Sequence, residues 1–333
     1  MSRIFTWLTA FIFTLLIVAV LISYNLLFSP HSPSAPVSVE VQPGSSVSRI
    51  AGDLEDAGVI RSALAIRLIA RWSKQENKVQ AGRYFFEYSA SPEDIFQRLV
   101  QGDVEKVSLT IPEGFTLEQI IERIDHEGYG HKERLEELAQ NTTFIKELDI
   151  TAESLEGYLF PETYLFAPGI DEKELLTMMV RQFRRHMTEQ LKQTAKKSSL
   201  NLHQLVTLAS IIEKETGVVE EMPLISSVFH NRLERRIPLQ TDPTVIYGIA
   251  DFDGNITRRH LETPNPYNTY LNKGLPPGPI ASPGLNALKA AAQPEKSPYL
   301  YFVARGDGTH QFSKSLKEHN AAVRKYQLRR KRK

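Results

Sequence analysis

No cysteine occurs in the 333 residues. That excludes disulfide frameworks, cysteine-based zinc sites and thiol nucleophiles. It leaves the compartment open, because an exported protein with an adequate core needs no cross-links. An excess of one charge is also missing. Forty Lys and Arg stand against 39 Asp and Glu, a net charge of +1, so no strong field draws the chain to nucleic acid. His203, His230, His260 and His310 show no ligand spacing, and neither a metal nor another cofactor is expected. A serine-centred nucleophile elbow and a phosphate-cradling glycine loop are absent too.

Long hydrophobic runs are lacking except for one. Ile4 to Phe28 holds 25 residues without a charge, and about 20 in a helix cross a bilayer core. Trp7 and Tyr24 sit near its ends, as interfacial aromatics do. A cleaved signal peptide has an apolar core of roughly 7–15 residues, and Ser34-Ala35-Pro36 is a poor cleavage site. An uncleaved anchor is therefore expected. Arg3 precedes the run and Arg49 is the first basic residue after it. This predicts a single pass, with the N-terminus in the cytoplasm and the body outside. The roughly 300 residues beyond it suffice for two or three domains.

The pattern predicts an α+β chain. Ser29 to Pro36, with three prolines, reads as an extended tether. Val37 to Val41 alternates like a strand, Pro43-Gly44 turns the chain, and Val47, Ile50, Ala51 and Leu54 follow at helical steps. Val107 to Ile111, Pro112 to Gly114, then Leu117, Ile120, Ile121 and Ile124 repeat the scheme. Gly82 to Tyr88 leads through Ser91-Pro92 to a helix with Ile95, Phe96 and Leu99. The strand-turn-helix unit thus recurs about three times between residues 37 and 128. Ala63 to Lys74 reads as a helix whose polar side carries Arg67, Arg71 and Lys74. That row faces anionic lipid or glycan, or is simply solvated. Leu155 to Phe166, rich in aromatics and acids, reads equally as a sugar-binding surface or as a hinge completing a core.

The second half is helix-rich. Helices are predicted over Asp171–Leu200, Leu202–Thr216 with Gly217 as C-cap, Val219–Arg235 and Asn286–Gln293. One long irregular excursion, Arg236 to Leu285, interrupts them, and loops of that length are usually functional. Tyr299 to Val303 and His310 to Phe312 read as two strands about a Gly306-Asp-Gly308 turn, before a basic tail from Gln327 to Lys333. The expected division is 1–28 cytoplasmic start and membrane helix, 29–36 linker, 37–150 strand-turn-helix units and 151–333 functional domain.

In the helix before Thr216, Leu202, Leu205, Val206, Ala209 and Ile212 form the packed stripe, and Leu208 and Ile211 widen it. Glu213 and Glu215 both fall within this apolar circumference, where an unpaired Glu is rare. A carboxyl in apolar surroundings keeps its proton near neutral pH, as a general acid must. Alternatively either acid is satisfied by an arginine such as Arg232 or Arg235. The helical wheel does not choose between the two acids.

Several long motifs stand in order along the chain: Leu155-Glu-Gly-Tyr-Leu-Phe-Pro-Glu-Thr-Tyr164, Ala209-Ser-Ile-Ile-Glu-Lys-Glu-Thr216, Val228-Phe-His-Asn-Arg-Leu233 and Leu239-Gln-Thr-Asp-Pro-Thr-Val-Ile-Tyr-Gly248. Tyr267-Asn-Thr-Tyr270, Gly274 to Gly284 and Pro298 to Phe312 extend the set. On these motifs the chain resembles the YceG-like (MltG) family of endolytic murein transglycosylases. The resemblance implies that the membrane is the inner (cytoplasmic) one and that the body lies on its periplasmic side. It implies a LysM-like N-terminal part, a lysozyme-like catalytic domain and Glu215 as the catalytic acid. It also implies peptidoglycan glycan strands as substrate and penicillin-binding proteins as partners. The cut would fall between N-acetylmuramic acid (MurNAc) and N-acetylglucosamine (GlcNAc) and leave a 1,6-anhydro end. For that job Gln240, Thr241 and Asp242 suit sugar hydroxyls and the acetamido group, and Tyr247 suits a ring face. Asn231, Tyr267, Asn268 and Tyr270 are further wall residues, with Glu156 and Glu162 at the cleft edge. The rival readings are a muramidase that uses water and a non-catalytic glycan-binding membrane scaffold.

Overall fold

The computed structural model describes residues 2–250 and 252–328, without the side chains of residues 2–6, 8–10, 26 and 328. The Arg3 side chain and the end of the basic tail, residues 329–333, lie outside what is described. The chain divides into two compact units. One comprises Met1–Val107 with Leu165–Gly169, the other Ser108–Tyr164 with Ile170–Lys333. Residues 108–150, grouped with the first domain in the sequence reading, pack within the second unit.

The first unit opens with helix α1 (Ser2–Phe28). Its described side chains from Phe11 to Tyr24 are exposed, Trp7 by 77%. Among the described residues no helix is long and apolar enough to cross a membrane. The tether is not free: His31 N donates to Ala90 O at 3.0 Å and Ala90 N to His31 O at 3.1 Å. Strand β1 (Val37–Val41) follows, then α2 (Val47–Asp56), α3 (Ala63–Ser73), β2 (Gly82–Phe86) and α4 (Pro92–Gln101). β1 and β2 pair antiparallel, with Val39 opposite Tyr84. Alternation puts Val39, Val41, Tyr84 and Phe86 on one face, over Ile50, Leu54, Ile66, Ile95 and Phe96. Ser91 caps α4 in a capping box with Asp94, and Pro92 opens it.

The second unit begins within β3 (Val107–Thr110) and holds α5 (Leu117–His126), α6 (Lys132–Gln140) and α7 (Thr142–Glu147), and β4 (Thr163–Phe166) starts in it and ends in the first. Ile111 N donates to Glu162 O at 3.0 Å, and the hydroxyls of Thr110 and Thr163 meet at 2.9 Å. The first unit's pattern of a strand, two helices and a return strand recurs here, with α7 added before the return strand. Gly44 and Gly114 both have φ +76°, and Gly58 and Gly128 have φ +69° and +74°. Caps Ser46 and Thr116, and core residues Leu54 and Ile124, match at the same spacing of seventy. All three expected strand-helix successions are present, as β1–α2, β2–α4 and β3–α5.

The remainder is helical. The run from Asp171 is not one helix but two, α8 (Glu172–His186) and α9 (Glu189–Lys197). Met187 leaves helical geometry at ψ 65°, and Thr188 caps the restart by accepting from Leu191 N. α10 (Leu202–Glu215) forms the core, with Leu205, Val206, Leu208, Ala209, Ile211 and Ile212 buried. It stops one residue early, because Thr216 is extended (φ −149°) and takes the C-cap position expected of Gly217. A single 3-10 turn precedes α11 (Met222–Glu234). The excursion after Arg236 is shorter in irregular structure than expected. It contains α12 (Asp242–Tyr247), opened by Pro243, and α13 (Arg258–Glu262), boxed by Thr257 and His260. α14 (Leu285–Ala292) follows, and its alanines let it lie close against α10. β5 (Tyr301–Ala304) pairs antiparallel with β6 (His310–Ser313), and α15 (Leu316–Val323) closes the unit.

Loop 276–284 is pinned to this core. Ile280 N donates to Ser210 Oγ at 3.0 Å. Gly157 takes φ +81°, and a Cβ there would stand 2.5 Å from Pro279 Cβ and 3.0 Å from Val206 Cγ1. Gly157→Ala is expected to cost about 3 kcal/mol, from left-handed strain plus overpacking. A fall in Tm of roughly 6–12 °C would register it, and an unchanged Tm would show that the loop yields.

Candidate active site

Glu215 is the last residue of α10, where the helix axis presents unsatisfied carbonyls and disfavours negative charge. It lines a cavity of about 480 Å³ together with Arg232, Gln240, Asp242, Tyr270 and His310. The side chain is half-buried and faces the cavity. Burial pushes its pKa up to about 7; a hydrogen bond from Thr241 opposes this, the charge of Asp242 adds to it, and His310 and Arg232 oppose it. The acid is thus protonated in much of the population at neutral pH.

Four segments deliver the neighbours: residues 240–242, residues 269–270, α11 and β6. Thr241 Oγ1 donates to Glu215 Oε1. Thr241 is buried and precedes α12, and its N–H donates to Thr269 Oγ1 at 3.2 Å. Asp242 opens α12 and accepts from Tyr270 OH at 2.6 Å. Gln240 takes φ +51°, and its N–H donates to Thr269 O at 3.1 Å. Arg232 is buried and, among the described residues, has no carboxylate partner: Nε donates to Leu300 O at 2.6 Å and Nη1 to Leu239 O at 2.8 Å. Its guanidinium lies 5.0 Å from the Tyr301 ring centroid. His310 is held through Nδ1 against Glu221 Oε2 at 2.7 Å.

Glu213 is separate from this cavity. Its Oε2 accepts from Gly284 N at 3.0 Å, so it secures the loop before α14. Burial raises its pKa, Gly284 lowers it and Glu113 raises it. Glu156 is buried and accepts from Leu117 N with both oxygens at 3.1 Å and from Tyr247 OH at 3.0 Å. Its pKa is pushed up to about 7 by burial, against the hydrogen bonds from Leu117 and Tyr247. Tyr247 and Tyr267 pack with ring centroids 4.8 Å apart and planes tilted by 54°. This cluster sits at the far end of α12 from Asp242.

Gln240, Thr241, Asp242 and Tyr270 are therefore brought to Glu215, and Glu156, Tyr247 and Tyr267 are brought to one another. Asn231 and Glu162 lie apart from both groups, whereas Asn268 braces the first from behind, its Oδ1 accepting from Tyr270 N at 3.0 Å. Asn231 Nδ2 donates to Ser297 O at 2.8 Å and Tyr299 O at 2.9 Å. Asn268 is buried, and its amide donates to Leu261 O at 3.0 Å and Thr263 O at 2.9 Å. Glu162 is exposed and accepts from Gln182 Nε2 at 3.1 Å. A larger hollow of about 1200 Å³ contains Asn231. Its histidines are occupied, His203 by Pro277 O and His230 by Ala291 O, and it holds no acid set in apolar surroundings. Among the described residues no group of three His, Asp or Glu side chains could hold a metal ion.

Sequence reasoning missed Arg232 as a cavity wall, the Glu221–His310 pair and His319, whose Nδ1 is buried without a partner. Each arrives from a distant strand or helix. The one available signal was Arg232 inside Val228 to Leu233, a charge among buried positions.

The profile of the YceG-like family matches residues 39–325. A Bacillus subtilis protein named endolytic murein transglycosylase is 38% identical over 307 residues, covering 87% of this chain and 84% of its own. A Streptococcus pneumoniae protein of the same name is 31% identical over 319 residues, 86% of this chain and 58% of its own. A solved structure of a yceG-like protein from Listeria monocytogenes superposes with a TM-score of 0.60 at 35% identity, over 86% of this chain and 98% of that one.

Proposed function

Because the chain belongs to the YceG-like family, we propose that it is an endolytic murein transglycosylase. It cleaves the MurNAc–GlcNAc bond within nascent glycan strands, leaves 1,6-anhydro-MurNAc ends and so limits glycan length. The observation that carries this reading is Glu215, held protonated near neutrality on the wall of a cavity. Neutral Glu215 gives its proton to the glycosidic oxygen as the bond to the anomeric carbon breaks. The sugar's own acetamido oxygen stabilises the positive centre, so no second carboxylate is needed at the usual glycosidase spacing. Ionised Glu215 then takes the proton of the 6-hydroxyl, whose oxygen closes on the anomeric carbon. The acid is restored and no water is consumed. Orientation supplies much of the rate in such an internal attack. Gln240, Asp242 and Tyr270 are the groups positioned to hold the ring.

The same reading anchors the chain in the cytoplasmic membrane through Ile4–Phe28, with the N-terminus in the cytoplasm and the body outside. The uncharged run and the exposed apolar side chains of α1 support it. The β1–α2–α3–β2 arrangement supports a LysM-like grip on glycan, and penicillin-binding proteins are the partners a nascent-strand enzyme would meet. The test is to incubate the full chain in detergent with uncrosslinked glycan and weigh the ends. Anhydro ends support the proposal. Free reducing ends would establish a hydrolase, and uncut glycan a binding scaffold.

The neighbours of Glu215 fix a pH response. Activity requires the protonated acid, so kcat/KM is expected to fall as pH rises through about 7. Asp242 raises that pKa and Thr241 lowers it. Asp242→Asn should therefore move the alkaline limb to lower pH, and Thr241→Val should move it higher. Limbs that shift together, or not at all, would separate the profile from Glu215.

A further inference from the structure

α3 has two apolar sides. Ala63, Ala65, Ile66, Ile69 and Ala70 face the core of the first unit. Leu64, Leu68 and Trp72, one turn apart, form a second stripe on the outside, with Leu64 44% and Trp72 69% exposed. Arg67, Arg71 and Lys74 flank this stripe, all exposed. Among the described residues none of the three is held in an ion pair. A helix already buried on one side gains nothing in water from an exposed tryptophan and two leucines on the other.

The surroundings say what covers them. Trp72 stacks on Phe28 (centroids 6.3 Å apart, planes 15°), and Phe28 lies 5.2 Å from Tyr24 on the last turns of α1. Leu68 and Trp72 share an open cleft of about 380 Å³ with Leu16, Val20, Tyr24 and Leu27 of α1. The second stripe is thus continuous with the uncharged helix. The His31–Ala90 bridge holds the sheet-bearing part of the unit against the exit of that helix. Tyr88, 79% exposed, stands two residues from the bridge. Exposed aromatic rings beside a row of cations match the headgroup layer of an anionic leaflet, where rings sit at the boundary and cations meet lipid phosphates.

We infer that the outer face of α3, Leu64, Leu68 and Trp72 with Arg67, Arg71 and Lys74, docks on the anionic lipid surface around α1. The inference rests on the anchoring of α1 proposed above. It makes the lipid headgroups a second ligand of this chain, separate from glycan. Each cation in that layer contributes roughly a fivefold gain in partitioning, so the three together contribute about a hundredfold.

Trp7 and Trp72 are the only tryptophans, so Trp7→Phe in the full chain leaves Trp72 as the sole indole reporter. That protein is reconstituted in phosphatidylcholine vesicles with and without 30% phosphatidylglycerol, carrying lipids brominated near the headgroup, and floated on a gradient. The expected result is flotation in both, with Trp72 emission blue-shifted and quenched by bromine in the anionic vesicles. The Arg67→Gln, Arg71→Gln, Lys74→Gln triple variant, still floating, should lose that quenching. A chain that floats with Trp72 unquenched and emitting as in water overturns the docking and leaves the anchor standing. A chain that does not float overturns the anchor and the docking with it. Quenching unchanged in the triple variant overturns the role assigned to the cations.

Discussion

Glu215→Gln is expected to lower kcat on uncrosslinked glycan about a thousandfold, the scale of a lost general acid. The amide is nearly isosteric and still accepts from Thr241, so KM should change little. The same substitution should act on stability with the opposite sign. Glu215 has a folded pKa of about 7 against an ordinary 4.5. Its protonated form is compatible with the cavity, so its contribution is full below about pH 4.5 and is lost as pH rises through 7. Glutamine suffers no such loss. At pH 8 the variant should be more stable on the order of 2 kcal/mol, a figure reduced for a carboxyl half-open to the cavity. At pH 4 the two proteins should melt together. Full turnover by the variant would remove Glu215 from the chemistry. Equal melting at pH 8 would show that the carboxyl ionises there without penalty.

The second large effect is expected at Arg232. Arg232→Met keeps the stem's bulk but strips Leu300 O and Leu239 O of their buried donor and removes the weaker contact to Pro238 O at 3.2 Å. Leaving buried carbonyls unpaired costs about 1–3 kcal/mol each, so the loss should be about 4 kcal/mol. Thermal unfolding would fall by roughly 8–16 °C. Arg232→Lys should recover little, because a point charge cannot serve carbonyls in three directions as a planar fork does. The charge of Arg232 also lowers the pKa of Glu215, so a folded Arg232→Met protein, which lacks that charge, should keep activity to higher pH. A melting point within a degree of the parent would overturn the assignment.

What the sequence made legible follows from locality. Alternation and helical spacing located β1, α2, α4, β3 and α5, because one-sided burial writes itself into neighbouring residues. The apolar circumference of α10 marked both Glu213 and Glu215 as displaced acids. It could not separate them, since the distinction lies in Gly284 and Thr241, brought in from 71 and 26 residues away. The break at Met187 was hidden because α8 and α9 keep helical composition across it, leaving only Thr188 as a cue. α12 was hidden inside a loop, although Asp242-Pro243 carried an ordinary helix-start signal. Arg232, His310 and His319 converge through tertiary packing, and no periodicity announces such a meeting.

The bridge between His31 and Ala90 turns a flexible leash into a hinge with almost no travel. The height of the β1–β2 sheet above its starting helix is then a built-in constant rather than an average over linker conformations. Residues added between Ser32 and Pro36 would form a side loop without lifting the sheet. Only additions ahead of His31 would change the standoff.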